Sequence, residues 1–153
     1  MTALMICLGS CDPARKFVKE ENDQIQGYLS INSNLNFELK PSGLYYLEVT
    51  AGSGPQPVTH DTVYIKYTGR FLNGIILDTN IGKADTLKRA LDEGYLIAGL
   101  DEGIKYMRSG GKSMFLMPSK LAYGSYGYYP YIPGYTPFIY DVELVQVKAG
   151  IAK

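Results

Sequence analysis

The 153-residue sequence has no tryptophan, one histidine and two cysteines, and both cysteines fall within the first eleven residues. From Asp12 onward there is therefore no thiol, which excludes a disulfide or a Cys-based metal site in the folded body. His60 stands alone, before a strand in a turn-like segment, with no second histidine to complete a zinc cluster. No glycine run leads into Lys and Ser/Thr as a phosphate-cradling loop requires. Neither sign of charge is in excess, with 15 Lys and Arg against 15 Asp and Glu, so the basic footprint of a nucleic-acid binder is missing. No apolar run reaches the roughly 20 residues of a membrane-spanning helix.

What is present describes a folded chain. Hydrophobic residues make up 46% and charged residues 20%, close to the globular average, and the length suits one domain plus a modest extension. Tyrosine is abundant: 14 copies, many crowded between Tyr123 and Tyr135. Such side chains combine a large apolar face with one polar handle, which suits contact surfaces.

The opening MTALMICLGSC is apolar and gives way abruptly to DPARKFVKEENDQ, a boundary that reads as processing rather than folding. Leu8-Gly9-Ser10-Cys11 resembles a bacterial lipobox, in which small residues precede a lipidated cysteine. Residues 1–11 are accordingly expected to be a lipoprotein signal segment and Cys11 the lipidation site. That implies a chain anchored to a membrane of the bacterial envelope, periplasmic or outer, and not spanning it. No Lys or Arg precedes the run, which is short for such a signal, so a start upstream of Met1 is an expectation of this reading. The alternative is a frayed N-terminus with two incidental cysteines.

Residues 12–41 read as a polar linker. Val18, Ile25 and Leu29 are spaced as on one helix face, predicting a short helix from about Lys16 to Ser30 that acts as a solvated spacer. Pro41-Ser42-Gly43 marks a boundary, and residues 42–149 form the expected domain. Leu44–Val49 and Thr62–Phe71 alternate with period two, and Asn73-Gly74 turns the chain into a third short run, Ile75–Asp78. Ile97, Leu100, Ile104 and Met107 recur as on a short amphipathic helix that Gly110-Gly111 can end. Ser113–Met117 and Phe138–Val147 return to strand, with Phe138, Tyr140, Val142 and Leu144 on one side. The expected fold class is α+β: a curled antiparallel half-barrel wrapped over one short helix.

The titratable groups form no nucleophile-base pair. Asp101 and Glu102 are adjacent and point in different directions on a helix, so they read as a solvated face. Asp78, beside Ile75–Leu77, is either a turn residue or a specific hydrogen-bond acceptor. On residues alone the chain is a small binding domain with an aromatic groove and no metal or cofactor.

Five ordered segments sharpen this. VYIKYTGRFLNG, with Tyr67-Thr68-Gly69, and LDTN at 77–80 resemble the tyrosine strand and F-D-S segment of the FK506-binding (FKBP) family of peptidyl-prolyl isomerases. LIAGLDEGIKYMRSGGK resembles its V-I-x-G-W-x-E-G helix, and AYGSYG with IPGYTPFIYDVEL resembles its last two motifs. The likeness covers about Ser42 to Lys148. It implies a prolyl pocket from Tyr67, Leu77, Asp78, Leu87, Leu96, Ile97, Leu100, Tyr123, Ile132 and Tyr140. Leu100 would be the floor, Tyr67 and Asp78 a bonded pair on one wall, and the Ile97 N–H and Tyr123 hydroxyl donors to substrate carbonyls.

The implied activity is rotation of X-Pro bonds in proline-containing unfolded polypeptides of the envelope, which needs no nucleophile. Leu77, Leu87 and Leu100 stand where the family usually has aromatics, which implies a wider pocket, weaker activity and weak macrolide binding. Tyr126, Tyr128, Tyr129, Tyr131 and Tyr135 would overhang it, to grip a polypeptide or as ordinary surface. A competing reading is a binding module with a decayed site, acting as a holdase or assembly factor; a tyrosine-rich carbohydrate binder has only composition behind it.

Overall fold

The computed structural model describes residues 13–150; Cys7, Cys11 and the rest of the expected signal segment lie outside the described residues. The chain runs α1 (Pro13–Ile31), β1 (Glu38–Leu39), β2 (Tyr45–Thr50), β3 (Thr62–Phe71), β4 (Ile76–Thr79), β5 (Leu87–Ala90), α2 (Ala98–Lys105), β6 (Lys112–Met117) and β7 (Phe138–Lys148). All strand pairs are antiparallel, in the order β1-β2-β6-β7-β3-β4, and β5 joins β4 along the outer edge of β3.

The longest strands are the ones with the cleanest alternation. Val63 and Ile65 of β3, and Phe138, Tyr140, Val142 and Leu144 of β7, point inward and are buried. β3 and β7 pair along their whole length, with one register shift between Tyr64 and Ile65; such an extra residue bends the strand and helps the sheet curl. The Asn73-Gly74 turn closes the β3–β4 hairpin, with Gly74 at φ 88 and the Phe71 N–H donating to the Ile75 carbonyl at 2.9 Å.

Inside the curl lies α2, whose Leu100 and Ile104, with Met107 beyond its end, pack on Val63, Phe115 and Leu144. It approaches closely because Gly99 and Gly103 face β6: a Cβ on Gly103 would come within 2.7 Å of the Phe115 ring. The helix stops at Lys105, before Gly110-Gly111, and Gly110 at φ 87 serves the turn into β6.

Two expectations change. The curled sheet over one short amphipathic helix is as expected, and what changes first is the role of the helix before it, α1, which covers the sheet's other face. α1 is longer than the spacing of Val18, Ile25 and Leu29 suggested, and it lies against the sheet where a solvated spacer was expected. Ile25 is buried on Leu116 and Ile139, with Tyr28, Leu29 and Tyr45 alongside, while Val18 is 53% exposed. The docked face is Phe17, Glu21 and Ile25, at i, i+4 and i+8. Its centre is a carboxylate, so the apolar pattern concealed it. Lys16–Glu20 and Lys19–Asp23 pairs occupy the solvent side.

The second change concerns Asp101, which is buried rather than part of a solvated face. It sits in the first turn of α2 and accepts the Asp92 N–H at 3.0 Å; burial pushes its carboxyl pKa up. Glu102 does face outward and accepts hydrogen bonds from Ser42 and Tyr106.

Candidate active site

At the open end of the curl, β3 and β4 bring Tyr67 and Asp78 together: the Tyr67 hydroxyl donates to Asp78 Oδ2 at 2.5 Å. The sequence left Asp78 open between turn residue and acceptor, and it is an acceptor. Asn80 fixes the pairing from below. Its Oδ1 accepts the Tyr67 N–H at 2.7 Å, its Nδ2 donates to the Ile65 carbonyl at 3.0 Å, and its own N–H donates to the Tyr67 carbonyl at 3.1 Å. This buried asparagine was overlooked as a functional residue; the available signal was an Asn two positions after the acid in LDTN.

A second tyrosine pair crosses the site. Tyr123, in the segment between β6 and β7, lies 3.0 Å hydroxyl to hydroxyl from Tyr140 of β7, whose ring sits 5.9 Å from that of Tyr67. Gly69 makes room: a Cβ there would meet the Tyr140 ring at 2.9 Å. Burial, then the Asp78 hydrogen bond, push Tyr67 up to about 12. Burial and Tyr123 push Tyr140 up further. Both phenols stay protonated at neutral pH and so remain donors.

Between these pairs opens a cleft of about 370 Å³ lined by Leu77, Asp78, Tyr123, Tyr128, Tyr131, Ile132 and Tyr140. Five of the ten expected pocket residues are in that lining. Tyr67, Leu87, Leu96, Ile97 and Leu100 instead back it within the same hydrophobic cluster, where Leu100 is buried and the others partly so. Leu87 belongs to β5, opposite Ile65. Ile97 is the residue preceding α2; its carbonyl accepts the Leu100 and Asp101 N–H groups, and its own N–H has no bonded partner among the described residues. Phe138, read from the sequence only as one face of the last strand, supports the site edge-on to Tyr123 at 5.7 Å. A larger groove, about 580 Å³, runs beside α1 and contains none of the expected site residues.

Other candidates are placed elsewhere. His60 is an exposed loop residue with Nδ1 2.6 Å from Glu93. Among the described residues no three His, Cys, Asp or Glu side chains gather as metal ligands, and no helix is long and apolar enough to cross a membrane.

The family model for FKBP-type peptidyl-prolyl cis-trans isomerases matches residues 54–145, more than half of the chain. The chain belongs to this family. A probable FKBP-type peptidyl-prolyl cis-trans isomerase of Haemophilus influenzae is 32% identical over 133 residues, covering 87% of this chain and 54% of that protein. FkpA of Escherichia coli is 38% identical over 107 residues, covering 70% of this chain and 38% of FkpA. The chain thus spans about half or less of the length of these curated relatives. Among solved structures, a peptidyl-prolyl cis-trans isomerase of Pseudomonas syringae superposes with a TM-score of 0.77 at 27% identity, covering 92% of this chain and all of that one. The crystal structure of E. coli FkpA gives 0.72 at 32% identity, covering 88% of this chain and 64% of FkpA. The curled sheet over α2 is therefore the FKBP fold.

Proposed function

We propose that this chain accelerates cis/trans rotation of X-Pro bonds in unfolded or partly folded polypeptides. The observation that carries the reading is the Tyr67–Asp78 pair set beside an apolar cleft that Tyr123 and Tyr140 also face. Rotation must break amide resonance across a barrier of about 18–20 kcal/mol, and no covalent bond changes. A cleft poor in water disfavours the planar, charge-separated amide relative to the twisted one, while fixed donors favour the twisted geometry. Tyr67 and Asp78 hold one wall and Leu77, Ile132 and Tyr140 the apolar sides, with Leu87, Leu96 and Leu100 behind them. The Tyr123 hydroxyl and the Ile97 N–H, which has no bonded partner among the described residues, are the donors to substrate carbonyls. No cofactor enters the reaction.

Cys11 is the proposed lipid attachment point, tethering the domain to the bacterial envelope. A Cys11→Ser variant should then move from the membrane to the soluble fraction; unchanged partition would remove the anchor from the account.

A second reading, a binding module, draws on the exposed tyrosines beside the cleft, above all Tyr126 at 94% and Tyr129 at 92% exposure, and on three leucines in place of aromatic walls. Refolding of a client whose slow phase is proline-limited separates the two. An isomerase speeds that phase at a small fraction of the client concentration; a binder acts only near one-to-one and does not speed it.

A further inference from the structure

α1 grips the segment that carries Tyr123. Glu21, on the docked face and 7% exposed, accepts the Ser119 N–H on one carboxylate oxygen and the Ser119 hydroxyl on the other, the latter at 3.0 Å. Ser119 in turn accepts the Ala122 N–H at 2.8 Å and the Gly124 N–H at 2.7 Å, bracketing Tyr123. One turn before Glu21, Phe17 stacks on Tyr135 at 5.4 Å, and the Tyr135 N–H donates to the Gly124 carbonyl at 3.0 Å. Two side chains on one helix face thus hold both ends of a loop whose middle supplies Tyr123, Tyr128, Tyr131 and Ile132 to the cleft.

A buried carboxylate is costly unless its oxygens are satisfied, and a charge-assisted bond to a backbone N–H is among the stronger ones available. Docking α1 by apolar contact alone would need no acid here, since Ile25 already provides such contact on Leu116 and Ile139. What the acid adds is direction: it fixes Ser119, and through Ser119 the backbone on either side of Tyr123. We infer that Glu21 is a positioning residue for the isomerase site, acting through Ser119 to place the Tyr123 hydroxyl. This rests on the isomerase reading.

The experiment compares Glu21→Leu, Glu21→Gln and Ser119→Ala in the full chain, with Val18→Ala as a control on the same helix, by X-Pro peptide relaxation and by amide hydrogen exchange. Glu21→Gln keeps an acceptor for the Ser119 N–H and a partner for its hydroxyl, so kcat/KM should stay within about twofold of wild type. Glu21→Leu removes both of the carboxylate's bonds to Ser119 and should lower kcat/KM roughly tenfold, and Ser119→Ala should fall between them. Gly124 and Tyr135 amides should exchange faster in Glu21→Leu while β7 amides stay protected. Added to Tyr123→Phe, Glu21→Leu should cost much less than it does alone, a coupling that general destabilisation does not produce.

Unchanged exchange at Gly124 and Tyr135, or costs that simply add, would overturn the positioning role. A wild-type chain that leaves relaxation unaltered would overturn the isomerase reading and the catalytic part of this inference together, and the exchange measurement would still report separately whether Glu21 holds the loop.

Discussion

Burial and the Asp78 carboxylate lift the Tyr67 phenol from its ordinary value of 10 to about 12, and the sign of the consequence follows. Between those values the unfolded chain ionises while the folded chain keeps its proton, so the stability contributed by neutral Tyr67 is fully present below pH 10 and lost as pH rises to about 12. Tyr140 shifts in the same direction. Alkaline titration followed by phenolate absorbance should show both phenols ionising late, and Asp78→Ala should bring Tyr67 earlier while burial keeps it above 10. The activity profile should carry no Tyr67 inflection at neutral pH. Much of this was legible at the residue scale, because Tyr67, Asp78 and Tyr123 sit in recognisable segments. Asn80 and Asp101 were not: each is a polar residue whose partner is a backbone group brought to it by the fold, the Ile65 carbonyl and the Asp92 N–H, and no local pattern announces such a meeting.

Elements were read in proportion to how one-sided their burial is. β3 alternates cleanly and its bounds match those read from sequence, whereas the two-residue β1 and β5, with the sequence LKRA, offer no pattern and were missed. β6 and β7 are buried on both faces near Leu116 and Ile139, which reads as a plain apolar run and hides the need for a covering helix. α1 supplies that cover. Ile25→Ala should therefore cost about 2–5 kcal/mol in denaturant unfolding, the usual range for emptying a packed aliphatic site. On the opposite face, Gly103→Ala sets two effects against each other. Alanine improves helix propensity by about 1 kcal/mol, but its Cβ would press on the Phe115 ring at 2.7 Å, and overpacking costs about 1–3 kcal/mol. Net destabilisation is expected; a variant as stable as wild type would mean that α2 can ride outward from β6.

At the scale of the whole molecule, the sheet is a wall between two helices with different work. α2 fills the curl, with Ile97 just before its first turn in the cluster behind the cleft, while α1 backs the outer face and reaches the Tyr123 segment through Glu21. The sequence disclosed the first arrangement through spacing and family likeness. It did not disclose the second, because a polar helix with a charged residue at the centre of its contact face looks like a tether. If the cleft works as proposed, its hydrogen-bonding groups should matter more than its size. A charged hydrogen bond contributes about 1.5–3 kcal/mol, so Asp78→Ala should lower kcat/KM by roughly 10- to 100-fold, with Tyr123→Phe in the same direction.

Relaxation of short X-Pro peptides, with several residues before the proline, tests the central claim most directly. The account predicts a wild-type rate well above that in buffer and a clear fall in both variants, each still folded. A rate equal to buffer for every peptide, or variants as fast as wild type, would contradict it and move the binding-module reading into first place.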